Sequence, residues 1–136
     1  MADNNLATAQ KDLNLSQEET FLYKTHLKNL NGSGKVLNDN GSISTLYQTS
    51  VGVGDKTYNI PTVWGGKILS EDAAFEKAKS VGLNKFPSYG SEKEAEARYS
   101  DMHKYMEGDV QNYLKQSASG VKDLGIGSVN VLGTQQ

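Results

Sequence analysis

Residues 91–115 read SEKEAEARYSDMHKYMEGDVQNYLK, and their apolar positions have the period of a helix lying on a flat surface. Ala95, Tyr99, Met102, Met106, Val110 and Tyr113 form one stripe of period 3.6 over about six turns. Gly108 interrupts it, at a cost of about 1 kcal/mol relative to alanine. Ser91 and Glu94 have capping-box spacing, and Glu94 with Arg98 is set for an i,i+4 ion pair. A long helix is therefore predicted, ending near Lys115.

Upstream the period falls to two and supplies the surface. Asn38-Asp39-Asn40-Gly41 is a tight-turn signal, because Asn-Gly accepts the positive φ angles of a type I′ hairpin. Ser42 to Val51 reads as one strand, with Ile43, Thr45, Tyr47, Thr49 and Val51 on one face and Leu46 interrupting the polar other face. Gly52-Val53-Gly54-Asp55 is a second turn. Lys56 to Trp64 is a third strand, which Pro61 assigns to an edge or ends in a bulge. Gly65-Gly66 then reverses the chain into Lys67-Ile68-Leu69, giving a small antiparallel β-meander.

Two further helices flank it. Ser16 with Glu19 is a capping box, and Leu22, Tyr23, His26, Leu27 and Leu30 share one side of a helix over about 17–30. Ser70, followed by Glu71 and Asp72, starts a short helix over about 71–80 that stops near Gly82. Residues 1–15 hold only isolated Leu6 and Leu13 before Leu15 and read as an N-terminal arm. Residues 116–136 begin with the hinge-like Gln116-Ser117-Ala118-Ser119-Gly120 and read as a flexible C-terminal arm. The fold class is α+β: a compact domain over 16–115, with the meander under the long helix.

The composition narrows the chemistry. Net charge is -2 with neither sign clustered, which gives no electrostatic basis for a nucleic acid or an anionic membrane as partner. The chain has no cysteine, so disulfides and thiolate sites are excluded. Met1 to Asp12 carries Asp3 and Asp12 and no apolar run, which reads as a cytoplasmic start with neither signal nor span.

The search for an active site finds little. His26 and His103 stand at helical spacing among apolar neighbours and read as structural rings packed beside the meander, their nitrogens met by backbone or water. Glu18, Glu19, Glu71, Glu92, Glu94 and Glu96 sit where helix-start electrostatics accounts for them. Gly32-Ser33-Gly34-Lys35 lacks the spacing and the strand-to-helix context of a phosphate loop. Tyr47, Tyr58, Trp64, Phe86 and Tyr89 form the aromatic seal of a small sheet, or a sugar platform in which Trp64 and Tyr89 are the surface site. No catalytic, cofactor or metal residues are expected.

The stretches LYKTHLKNL (22–30), DNGSIST (39–45), YNIPTVWGGKIL (58–69), FPSY (86–89) and EAEARYSDMH (94–103) together resemble a small domain recurrent in tailed-bacteriophage proteins. That domain occurs as short stand-alone chains and as a module of large virion or ejected proteins, some of which also carry peptidoglycan-cleaving domains. The likeness spans about residues 20–114 and implies no catalytic residues. It implies a non-enzymatic virion structural or assembly protein, associated with the capsid, the portal and tail, or ejection. Such a protein is expected to bind other virion proteins in multiple symmetric copies through its arms. Val121, Leu124, Ile126, Val129 and Val131 are the expected partner contacts, being apolar residues beyond a hinge. The alternative is a carbohydrate- or peptidoglycan-binding module of a lysis or ejection apparatus.

Overall fold

Four helices and seven short strands follow one another along residues 4–123, which the computed structural model of the chain describes. The helices are α1 (Leu6–Leu13), α2 (Gln17–Asn31), α3 (Glu71–Val81) and α4 (Glu92–Asp123). The strands are β1 (Val36–Leu37), β2 (Ile43–Ser44), β3 (Thr49–Val53), β4 (Lys56–Ile60), β5 (Val63–Trp64), β6 (Lys67–Ile68) and β7 (Ser88–Tyr89). A single 3-10 turn, Leu83–Lys85, precedes β7. The fold is α+β.

Every strand pairing is antiparallel, but the strands form three sheets instead of one meander: β1-β2, β3-β4-β7 and β5-β6. The predicted strand over 42–51 is cut at Tyr47, which stands at φ 43. Leu46 is the inward residue at 3% exposure, while the Tyr47 side chain is 63% exposed. The Leu46 carbonyl accepts from the N–H groups of Thr62 and Val63, at 2.8 and 3.1 Å, so a cross-chain bridge replaces continued pairing. The predicted strand over 56–64 does not run through Pro61: β4 stops at Ile60 and is central in its sheet, neither an edge nor ended by a bulge, and Val63–Trp64 form a separate strand. Gly65 and Gly66, at φ 58 and 77, make the reversal between β5 and β6. The other Asn-Gly turn is longer than a type I′ hairpin: Leu37 pairs with Ile43, and Gly41 alone has positive φ.

The predicted stripe of α4 is the buried one. Ala95, Met102, Met106 and Val110 are inside, and Tyr99 and Tyr113 are half-buried. Its first half lies on the β3-β4-β7 sheet, where Asn59 Nδ2 donates to the Ala95 carbonyl at 2.9 Å. Helices α1 and α2 bond to α4 between Arg98 and Asp109. The core joins Leu22 and Tyr23 of α2, Leu46, Ile60 of β4, Ala74 and Ala78 of α3, Phe86, and the α4 methionines.

Both arm boundaries need correction. Within 1–15, Leu6–Leu13 form α1, which packs on α4 with Ala9 fully buried. Ala9 belongs to the core cluster, and Leu6 and Leu13 are partly buried against it. At the other end α4 continues through the predicted hinge to Asp123. Ser117, Ala118 and Ser119 do not break a helix already propagating from well-packed turns.

Candidate functional site

Titratable side chains far apart in sequence converge on two buried clusters. In the first, Asp109 of α4 is 2% exposed. Its Oδ1 accepts from Asn5 N at 2.7 Å and its Oδ2 from the Tyr23 hydroxyl at 2.6 Å. His26, fully buried, places Nε2 3.2 Å from the same Oδ2 and Nδ1 2.6 Å from Thr45 Oγ1. An ionised carboxylate can only accept, so the Nε2 that faces it acts as the donor, and Nδ1 is paired with the Thr45 hydroxyl. Burial first, and then the bond to Asp109, push the Tyr23 hydroxyl far up and keep it a donor. Hydroxyl, imidazole and carboxylate stand in the order of nucleophile, base and orienting acid. The cavity beside Thr45 and His26 measures only about 90 Å³, room for about three waters. As folded, the cluster ties the start of α1, α2, the β2–β3 link and α4 together.

This corrects the reading of both histidines. His26 is structural, but side chains satisfy it, where backbone or water was expected. His103 is exposed and stacks on Tyr99, the centroids 5.4 Å apart at 25°, so it is not packed into the fold.

The second cluster centres on Glu19. The predicted capping box is present: Glu19 N donates to Ser16 Oγ at 3.0 Å, and Ser16 N donates to Glu19 Oε1 at 2.9 Å. The same carboxylate receives Arg98 Nη2 on Oε1 and Arg98 Nε on Oε2, each at 2.8 Å, and the Tyr89 hydroxyl on Oε2 at 2.7 Å. Arg98 therefore pairs with Glu19 of α2, and the predicted Glu94–Arg98 pair within α4 is replaced. Burial alone would raise the Glu19 carboxyl, yet the bonds from Arg98, Ser16 N and Tyr89 outweigh it and hold the pKa at about 2. No buried side-chain nitrogen or oxygen among the described residues lacks a partner. No group of three or more metal-ligating side chains occurs among them either.

The two aromatic candidates lie apart. Trp64 is half-buried: Nε1 donates to the Pro61 carbonyl at 2.8 Å, and the ring meets Phe86 edge-on at 6.4 Å. It lines an apolar groove of about 450 Å³ with Phe21, Val63 and Val81, rimmed by Lys24 and Lys28. Tyr89 lines a different cavity, of about 600 Å³, beside Glu19 and Arg98, with its hydroxyl committed to Glu19. The two rings do not form one sugar-stacking platform.

Of the predicted partner contacts, Val121 falls on the helical backbone of α4. Leu124, Ile126, Val129 and Val131 lie outside the described residues. What the structure adds is their point of departure. Up to residue 116, Val110 is the last buried residue of α4, Tyr113 and Leu114 are half-buried, and Lys115 and Gln116 are exposed.

Among the described residues no helix is long and apolar enough to cross a membrane. Comparison with family models, with curated proteins and with solved structures gave no match of any kind.

Proposed function

We propose that this chain is a non-enzymatic structural or assembly protein of a tailed-bacteriophage particle, which binds neighbouring virion proteins through the segment that follows α4. One observation supports the reading above others: the backbone of α4 runs on to Asp123, past Lys115 and Gln116, which are exposed. At 1.5 Å per residue the thirteen positions from Val110 to Asp123 carry the chain about 20 Å further along the helix axis. Most of a helix's stability in a protein comes from packing, and for this end of α4 we assign that packing to a neighbouring subunit. The N-terminal segment takes no part in this role, because α1 is spent on the chain's own core. The buried His26 and Glu19 clusters are consistent with the reading, since their polar groups are consumed in holding helices together. The resemblance supplies the particle, and the net charge of -2 favours protein partners over nucleic acid.

The test is a chain truncated after Asp123, supplied in trans to a phage lacking the full-length chain. The core should keep its circular dichroism spectrum and melting temperature, and the truncated chain should be missing from purified particles. Incorporation at normal copy number would overturn the proposal.

A further inference from the structure

The β3-β4-β7 sheet has two edges that differ in kind. On one side β7 is two residues long and follows Pro87, and a short strand with a neighbouring proline resists pairing. On the other side β3 is five residues, Thr49-Ser50-Val51-Gly52-Val53, with no charge and no proline, in unbroken register with β4. Of the devices that protect an edge, charge, proline, shortness and a bulge are all absent from β3. Val53 and Lys56 flank the two-residue Gly54-Asp55 turn, so Val53, Val51 and Thr49 turn their backbone groups toward β4. Ser50 and Gly52 turn theirs outward, and no backbone bond among the described residues uses them. A Cβ added at Gly52 would meet nothing within 4 Å. Internal packing therefore does not require this glycine, whereas a glycine in a strand suits the close approach of another backbone.

Resting on the assembly reading above, we infer that β3 is the docking edge for the segment Ser128-Val129-Asn130-Val131-Leu132 of a second copy of this chain. The segment is uncharged, five residues long and alternating. Added beside β3, its Val129 and Val131 extend the face of Thr49, Val51 and Val53, and its Ser128 and Asn130 extend the polar face of Ser50 and Asn59. The chain's own tail cannot reach. Tyr99 lines a cavity with Thr49 and Ser50, and from Tyr99 the helix carries Asp123 about 36 Å away. The seven residues 124–130 span at most about 25 Å. Pairing in trans is head-to-tail, with each copy giving a tail and receiving one, and such a contact closes into a ring or runs on as an array. A single tail binds weakly and a closed set binds strongly through avidity.

The chain has no cysteine, which makes cross-linking clean. A Gly52→Cys chain is mixed with full-length chains carrying one of Ser128→Cys, Val129→Cys, Asn130→Cys or Val131→Cys, under mild oxidation. The expected result is disulfide heterodimers whose yield rises and falls with period two along the tail. Gly52→Pro, which removes the outward N–H but leaves the inner ladder intact, should abolish self-association in sedimentation. If that variant fails to fold, Gly52→Lys serves the same purpose. Cross-links only between two Gly52→Cys chains would mean that β3 pairs with β3, and this overturns the inference, as does no cross-linking or a yield flat along the tail. If cross-linking fails while the chain truncated after Asp123 is still missing from particles, the edge assignment falls and the assembly reading stands. If the truncated chain enters particles normally, the assembly reading falls instead.

Discussion

His26 Nε2 stands 3.2 Å from Asp109 Oδ2, and neither side chain is more than 1% exposed. The pair lies between helices 83 positions apart in sequence, so it fixes how α2 crosses α4. A buried carboxylate with three donors is stabilising only while all of them are in place.

Asp109→Ala should therefore cost about 3–5 kcal/mol, because it orphans Asn5 N, the Tyr23 hydroxyl and His26 together. Glu107→Ala, on the exposed side of the same helix, should change stability by less than about 0.5 kcal/mol. Urea denaturation of the two variants checks the contrast. Equal losses would mean that the cluster carries no special weight.

The Glu19 pair predicts the acid limb of stability. The carboxyl moves from 4.5 to about 2 on folding, so the folded state gains from the ionised form. That gain is full above about pH 4.5 and is lost as pH falls toward 2. The shift is worth up to about 3 kcal/mol. Glu19→Gln should lower stability at pH 7 and flatten its decline between pH 4.5 and 2. A variant whose acid limb runs parallel to that of the parent would place the titration elsewhere.

Phase along α4 is open to the same kind of measurement. Met102 and Met106 are 2% and 5% exposed, and truncating either to alanine should cost about 2–5 kcal/mol. Lys104→Ala, on the solvent side, should be near neutral. Comparable melting-temperature losses on both faces would rule out the packing described.

These contrasts also show what was legible in the sequence. The 95, 99, 102, 106, 110, 113 stripe was readable because six apolar residues repeat one period, and Ser16 with Glu19 because a cap is a local bond. Spacing alone pairs Arg98 with Glu94, since proximity in sequence cannot reveal Glu19 of another helix as its partner. The strand over 42–51 reads as longer than it is because its alternation is real, while the turn at Tyr47 is imposed by Thr62 and Val63 bonding to Leu46. The His26–Asp109 cluster left no pattern at all, being assembled from residues of four elements. The α1 helix was missed because its buried contact is one alanine. Its signal lay elsewhere, in Gly108.

Gly108 looks like a defect in an otherwise good helix, and a cost of about 1 kcal/mol is the expected penalty. In the fold its missing side chain makes room: a Cβ there would come within 2.7 Å of Asn5 Nδ2. That amide donates to the Tyr105 carbonyl at 3.0 Å, and Asn5 N donates to Asp109 at 2.7 Å. Alanine at 108 thus sets a propensity gain against the docking of α1, and the two effects can be separated. In the parent chain, Gly108→Ala should be destabilising, since displacing Asn5 leaves the Oδ1 atom of buried Asp109 without its donor. In an Asn5→Gly background the obstructing side chain is gone, and the same change should stabilise by about 0.5–1 kcal/mol. The coupling between the two sites, read from a double-mutant cycle in urea, should be at least about 1 kcal/mol. Additive effects of the two substitutions would show that α1 does not dock on α4 through Asn5.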